Sequence, residues 1–243
     1  MLSKAAFCEY NANSDKDEII LINDDQEVSI GKKLSKDVEK AYELVEDEGV
    51  QERVDDIGQK VAKVCQRRYI SFHFKVLKGD DVNAFSLPGG YVYIFEGILK
   101  NVKSDDELAS VIAHEVGHIA SRHNIKRLQG SLGANVLLIL ASLSPADSGV
   151  KGDSAQAITE LMLEYSRENE MEADRLSVKY LKAAGYNPEG AATFLKTMKN
   201  IMAKAPLKPY RPYRTHPYLS ERMAIIKEEI HGKMDFIDYI NRP

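Results

Sequence analysis

A chain of 243 residues with 44% hydrophobic side chains, 29% charged ones and a net charge of −4 can bury one substantial core, and nothing in it demands two. Lysine and arginine are interleaved with aspartate and glutamate, which excludes the continuous basic face of a nucleic-acid binder. The longest apolar run, Leu132 to Leu143, contains Gly133 and Asn135 and falls short of the roughly 20 residues of a membrane span.

Residues 1–26 read as a polar, irregular segment, and 27–243 as a single domain. Met1 to Tyr10 lacks the charged start, apolar centre and small-residue cleavage site of an export signal, so a cytoplasmic protein and an envelope protein whose signal has been removed are both compatible with it. The two cysteines, Cys8 and Cys65, match no zinc or redox spacing and read as unpaired. From Glu27 to Cys65, Ile30, Leu34, Val38, Val54, Ile57 and Val61 recur at helical spacing and predict two helices broken near Gly49. Ile70 to Leu77 alternates as a half-buried strand with His73 on its outward face.

Asn83-Ala84-Phe85-Ser86-Leu87, Pro88-Gly89-Gly90 and Tyr91 to Ile94 then predict a strand, a tight turn and a second strand. Such a hairpin either packs on the core or offers Asn83, Ala84, Phe85 and Ser86 as an edge for an extended peptide. The fold class that results is α+β, mostly helical, with a small sheet or hairpin beside the next helix.

That helix opens on a capping box, Ser104 to Glu107, and its apolar stripe of Leu108, Val111, Ile112, Val116 and Ile119 continues to about His123. It carries His114-Glu115-Val116-Gly117-His118. At 3.6 residues per turn the two histidines lie about 40° apart, one above the other, and can ligate one metal. Glu115 flanks the pair, where its carboxylate can take a proton from an attacking water. His123 would point about 140° away from His118 on a continuous helix, as a helix-end residue. Ser121 and Asn124 stand where a metzincin needs glycine and histidine, which excludes that geometry.

Leu128 to Gly152 predicts a short apolar helix and a loop, either a lid or plain core. A long helix follows from Ala155 to Ala184, then two more from about Pro188 to Lys204 and Leu219 to Ile230. A catalytic zinc needs a third protein ligand, and Glu170 has the reach to supply it. Asp174, one turn on, can accept the N–H of a ligand imidazole, and Arg167, one turn before, can orient a carboxylate. Glu164, Glu168 and Glu172 read as a solvated acidic face.

His114-Glu115-Val116-Gly117-His118, the Asn83 to Gly90 hairpin, Ser166-Arg167 with Glu170 to Asp174, and Thr215-His216-Pro217 with Glu221-Arg222 resemble, in order, the zinc metallopeptidase family that includes HtpX and the CAAX prenyl proteases. Without membrane spans or a repeat tail after Ile230, the chain resembles the soluble, BepA-like branch. The resemblance implies a minimal gluzincin domain binding one Zn²⁺ through His114, His118 and Glu170, with Glu115 as general base. It also implies an endopeptidase acting on extended or misfolded protein in the periplasm or cell envelope. His216 is implied either as an oxyanion stabiliser, with Arg222 as its partner in that role, or as a latch on the open metal position. A latent, chaperone-like binding module gated by His216 and a prenyl-protein protease are the alternatives.

Overall fold

The fold is described by a computed structural model over residues 7–11, 16–133, 135–137, 151–204 and 216–232. Strands β1 (Phe7–Asn11) and β2 (Lys16–Ile20) form an antiparallel hairpin in a segment whose sequence predicted no element. The following Ile22 is buried, and Asn23 caps α1 (Asp24–Ala41) through a reciprocal capping box with Gln26. Asp47 caps α2 (Glu48–Ala62), so the break between these helices falls before Gly49, which sits inside the first turn.

A three-stranded sheet in the order β3-β5-β4 forms the centre: β3 (His73–Leu77) pairs parallel with β5 (Tyr91–Phe95), and β4 (Ala84–Leu87) pairs antiparallel with β5. The turn between β4 and β5 is Pro88–Gly90, with Gly89 at φ 73°, a conformation that a side chain strains. His73 is exposed and stacks on Tyr91, on the outward face that the alternation of β3 assigns to it.

Strand alternation divides the interior in two. Phe85, Leu87, Tyr93 and Phe95 face α1, where Ile30, Leu34 and Val38 meet them. Ala84, Val92 and Ile94 face the opposite way into the larger core, with Val54, Ile57 and Val61 of α2. After the short α3 (Glu96–Leu99), α4 (Asp105–Ala120) runs through that larger core, buried from Glu107 onward on every side. Each of its aliphatic residues contributes about 1.5–3 kcal/mol by leaving water, so polar groups on this helix are held rigidly.

Arg122 then adopts a left-handed backbone (φ 56°), which ends α4 three residues earlier than its stripe suggested and redirects the chain into α5 (His123–Leu132). The Arg122 guanidinium is buried against Glu27 of α1 (2.9 Å), and Glu27 also holds Arg67 (2.7 Å), which donates to the carbonyl of Ile119. The predicted helix from Ala155 to Ala184 is two helices, α6 (Lys151–Leu161) and α7 (Arg167–Ala184), because Ser166 accepts the N–H of Asn169 and starts a new one. The choice between lid and plain core for Leu128 to Gly152 falls mainly on 138–150, outside the described residues. Two further helices follow among the described residues, α8 (Glu189–Lys204) and α9 (Leu219–His231). Among the described residues, no helix is long and apolar enough to cross a membrane.

Candidate metal centre

The site forms where α4 and α7 cross. Gly117 permits the approach: a Cβ there would stand 3.0 Å from the carbonyl oxygen of Ala173 and 3.1 Å from its Cα. Ala173 lies between Glu170 and Asp174, so the same contact sets both carboxylates opposite the histidines. Glu170 sits in the first turn of α7, a position that the Ser166 cap fixes.

His114 Nε2 and His118 Nε2 are 3.1 Å apart; Glu170 Oε2 lies 3.5 Å from the first and Glu170 Oε1 3.3 Å from the second. His216 Nδ1 completes the group, 3.2 Å from His114 Nε2 and 3.0 Å from Glu170 Oε1. A tetrahedral ion with bonds of about 2.0–2.1 Å holds its ligand atoms about 3.3 Å from one another, so these four side chains fit a small divalent metal. Glu170 Oε2 is buried and makes no hydrogen bond, although Arg222 Nη1 is 3.0 Å away. Such an oxygen, 3.5 Å from the Nε2 of His114, is suited to a cation.

The electrostatics agree. Burial works against a charge on His216, yet Glu170 and Glu115 together push it up to about 10. Burial alone would raise Glu115, but the charge of His216 beside it holds its carboxyl down to about 2. Glu170 also lies well below the carboxylate range against its own burial, through His216 and then Arg222. Burial lowers His118 to about 3, which keeps it in the neutral form that ligates metals. Two buried carboxylates thus draw positive charge to the point that the three rings surround.

The second nitrogens of the rings are also engaged. Asp174 Oδ1 lies 2.9 Å from His114 Nδ1, and Asp174 is itself gripped by both Nε and Nη2 of Arg222 at 2.8 Å. His118 Nδ1 lies 3.0 Å from His123 Nδ1, and His123 Nε2 is 3.5 Å from Glu172, which accepts from Ser121. A ligand role for both Nε2 atoms would place the protons on these Nδ1 atoms, each with an acceptor ready. Tyr165 stacks on the His118 ring at 4.0 Å and hydrogen-bonds Asn124.

The structure brings together His114, Glu115, His118, Glu170, Asp174, His216 and Arg222, and separates others. Arg167 pairs with Glu221 at 2.6 Å, near the surface, rather than with a carboxylate of the cluster; Arg222 stands there instead. Arg222, expected near the reacting carbonyl, is locked onto Asp174. Ser86 Oγ donates to Glu115 Oε2 (2.9 Å), while Phe85 on the opposite face of β4 stacks on Tyr93 in the other core. Ala84 and Asn83 line a cavity beside the centre, and β4 is an edge strand with no strand on its outer side among the described residues. His123 and Glu172 were missed as site residues, because the turn at Arg122 swings His123 back under His118.

The sequence profile of peptidase family M48 matches residues 48–230. The chain is 26% identical over 210 residues to the beta-barrel assembly-enhancing protease of Escherichia coli (strain K12), covering 82% of this chain and 42% of that one. It is 30% identical over 178 residues to the mitochondrial metalloendopeptidase OMA1 of Schizosaccharomyces pombe, covering 72% and 51%. It is 28% identical over 164 residues to the metalloprotease LoiP of Escherichia coli (strain K12), covering 65% and 62%. The chain therefore spans 42% to 62% of the length of these relatives.

Proposed function

The chain belongs to peptidase family M48, and from that premise we propose that it is a zinc-dependent endopeptidase held latent by His216. The observation that carries this reading is the convergence of His114 Nε2, His118 Nε2 and Glu170 within 3.5 Å of one another, with Glu115 alongside. Zinc bound there would polarise the peptide carbonyl and lower the pKa of water.

The remaining work falls to the protein. Glu115 takes the proton of the attacking water and returns it to the leaving amine. Its Oε2 is occupied by the Ser86 hydroxyl, so Oε1 is the atom that handles the proton. Asp174 holds the His114 ring, and Arg222 holds Asp174. The outer edge of β4, paired with no strand among the described residues, offers backbone hydrogen bonds to an extended segment of protein, a mode that accepts many sequences and suits unfolded substrates.

His216 supports latency because its ring spans two needed positions. Nδ1 stands at the fourth corner of the ligand set, and Nε2 is 3.2 Å from Glu115 Oε1. A fully protein-ligated metal is the pattern of a structural site, whereas catalysis needs an open corner. The attacking water can enter only when this ring leaves. Digestion of casein tests the reading: the zinc-loaded protein cleaves, chelation abolishes cleavage and added zinc restores it, and His216→Ala raises the rate several-fold. Cleavage insensitive to chelation would refute the metallopeptidase, and a slower His216→Ala enzyme would refute the latch in favour of oxyanion stabilisation.

The likeness to the beta-barrel assembly-enhancing protease leads us to assign this protein to the cell envelope. Fractionation of cells expressing the full-length gene product checks the assignment, which recovery in the cytosol would overturn.

A further inference from the structure

Behind Glu115 a chain of polar side chains runs through the core, drawn from separate parts of the fold. The Tyr165 hydroxyl, in the segment between α6 and α7, donates to Asn124 Oδ1 of α5. Asn124 Nδ2 donates to Ser86 Oγ of β4 at 3.2 Å, and Ser86 Oγ donates to Glu115 Oε2 at 2.9 Å. None of the four side chains belongs to a residue more than 4% exposed, so water does not compete for these bonds. The direction of the chain is set from its end. An ionised carboxylate only accepts, so the Ser86 hydrogen points at Glu115; the serine oxygen then accepts from the amide, and the amide carbonyl from the phenol.

The far end is anchored. The Tyr165 ring stacks on His118, and the Arg127 guanidinium lies 4.8 Å from the tyrosine ring centroid. Arg127, about one turn after Asn124 on α5, also donates to the carbonyls of Leu163 and Glu164, which fixes the segment that carries the tyrosine.

Resting on the endopeptidase reading, we propose that Ser86, Asn124 and Tyr165 are positioning residues for Glu115: the chain pins Oε2 to β4 and keeps Oε1 aimed at the attacking water when His216 withdraws. With the ring in place, His216 Nε2 stands 3.2 Å from Oε1 and helps to hold the carboxylate. Its departure removes that hold, and the Ser86 bond remains. A hydroxyl whose oxygen is already occupied by Asn124 has its hydrogen directed, and a bond to a charged acceptor is the strong kind. Tyr165 spends its hydroxyl on Asn124, so it acts through the chain and not on the reacting carbonyl.

The first measurement needs neither metal nor turnover. In isotopically labelled, metal-free full chain, the Asn124 side-chain amide, identified by its loss in Asn124→Ala, is expected to exchange with water about tenfold or more slowly than exposed asparagine amides. Tyr165→Phe and Ser86→Ala should each speed that exchange. The second follows hydrolysis of a quenched-fluorescent peptide by the zinc-loaded full chain. Ser86→Ala is expected to lower kcat about tenfold and Tyr165→Phe about threefold, both with KM unchanged, and the double variant to be no slower than Ser86→Ala, because both cut one chain. Ser86→Thr, which keeps the hydroxyl, should retain most of the rate. An Asn124 amide that exchanges like an exposed one would overturn the chain, and so would losses that fall on KM or multiply in the double variant. A protected amide with no cleavage by the unsubstituted zinc-loaded protein would leave the chain standing and overturn the endopeptidase reading.

Discussion

Glu115→Gln is expected to lower kcat for peptide hydrolysis by roughly 10²–10⁴-fold, the range that a positioned general base supplies, with the metal content of the protein unchanged. The two outcomes separate because Glu115 is close to the ligand set without belonging to it. Its Oε1 faces His216 and its Oε2 receives the Ser86 hydroxyl, while the converging atoms come from His114, His118, Glu170 and His216. Glutamine keeps the shape of the side chain and can accept from Ser86 through its carbonyl oxygen, but it cannot take up a proton. Elemental analysis beside a casein digest reads both quantities on one sample. Undiminished cleavage by the variant would remove Glu115 from the mechanism, and loss of the metal would make it a ligand instead.

Arg222→Ala is expected to destabilise the fold by about 3–5 kcal/mol, the usual consequence of stripping one partner from a buried ion pair. The guanidinium is 5% exposed, donates two bonds of 2.8 Å to Asp174, and lies 3.0 Å from Glu170 Oε2. Its removal strips Asp174 of its guanidinium and leaves Glu170 with the neighbouring histidines in place of a fixed counter-charge. In a chain of this length the loss corresponds to a fall in Tm of roughly 6–20 °C. The fall should be larger in chelated protein than in zinc-loaded protein, since a bound cation compensates the same carboxylates. Arg222→Lys keeps the charge without the planar fork and should lie between. Thermal unfolding followed by circular dichroism with and without chelator measures these differences; an unchanged Tm in Arg222→Ala would show that the network contributes nothing to stability.

What could be read beforehand was local. His114 and His118 share a face because four residues make one turn, and Glu170 and Asp174 share one for the same reason, so both halves of the metal centre are visible as spacing. The caps at Ser104 and the hairpin turn at Pro88–Gly90 are visible as residue chemistry. The unread features depend on contacts remote in sequence or on backbone that no residue type announces. A left-handed arginine at 122 carries no glycine signal, so His123 looked like the end of a continuing helix rather than a partner of His118. Ser166 lay inside an apolar pattern of helical period, which hid the break that sets Tyr165 on the His118 ring and Glu170 in a first turn. Arg167 and Arg222 looked equally able to serve the carboxylates; only the packing of α9 on α7 chose between them.

The pairing of Glu27 with Arg122 and Arg67 gives the first helix a stake in the chemistry. The family match begins at residue 48, downstream of α1, yet the arginine that Glu27 neutralises forms the bend that carries His123 beneath the imidazole of His118. A fragment trimmed to the family boundary would leave both guanidinium groups without this carboxylate and lay bare the sheet face covered by Ile30, Leu34 and Val38. The smallest unit able to shape the pair His114 and His118 thus begins upstream of the border of the family match, and expression designs should start no later than the Asn23 cap.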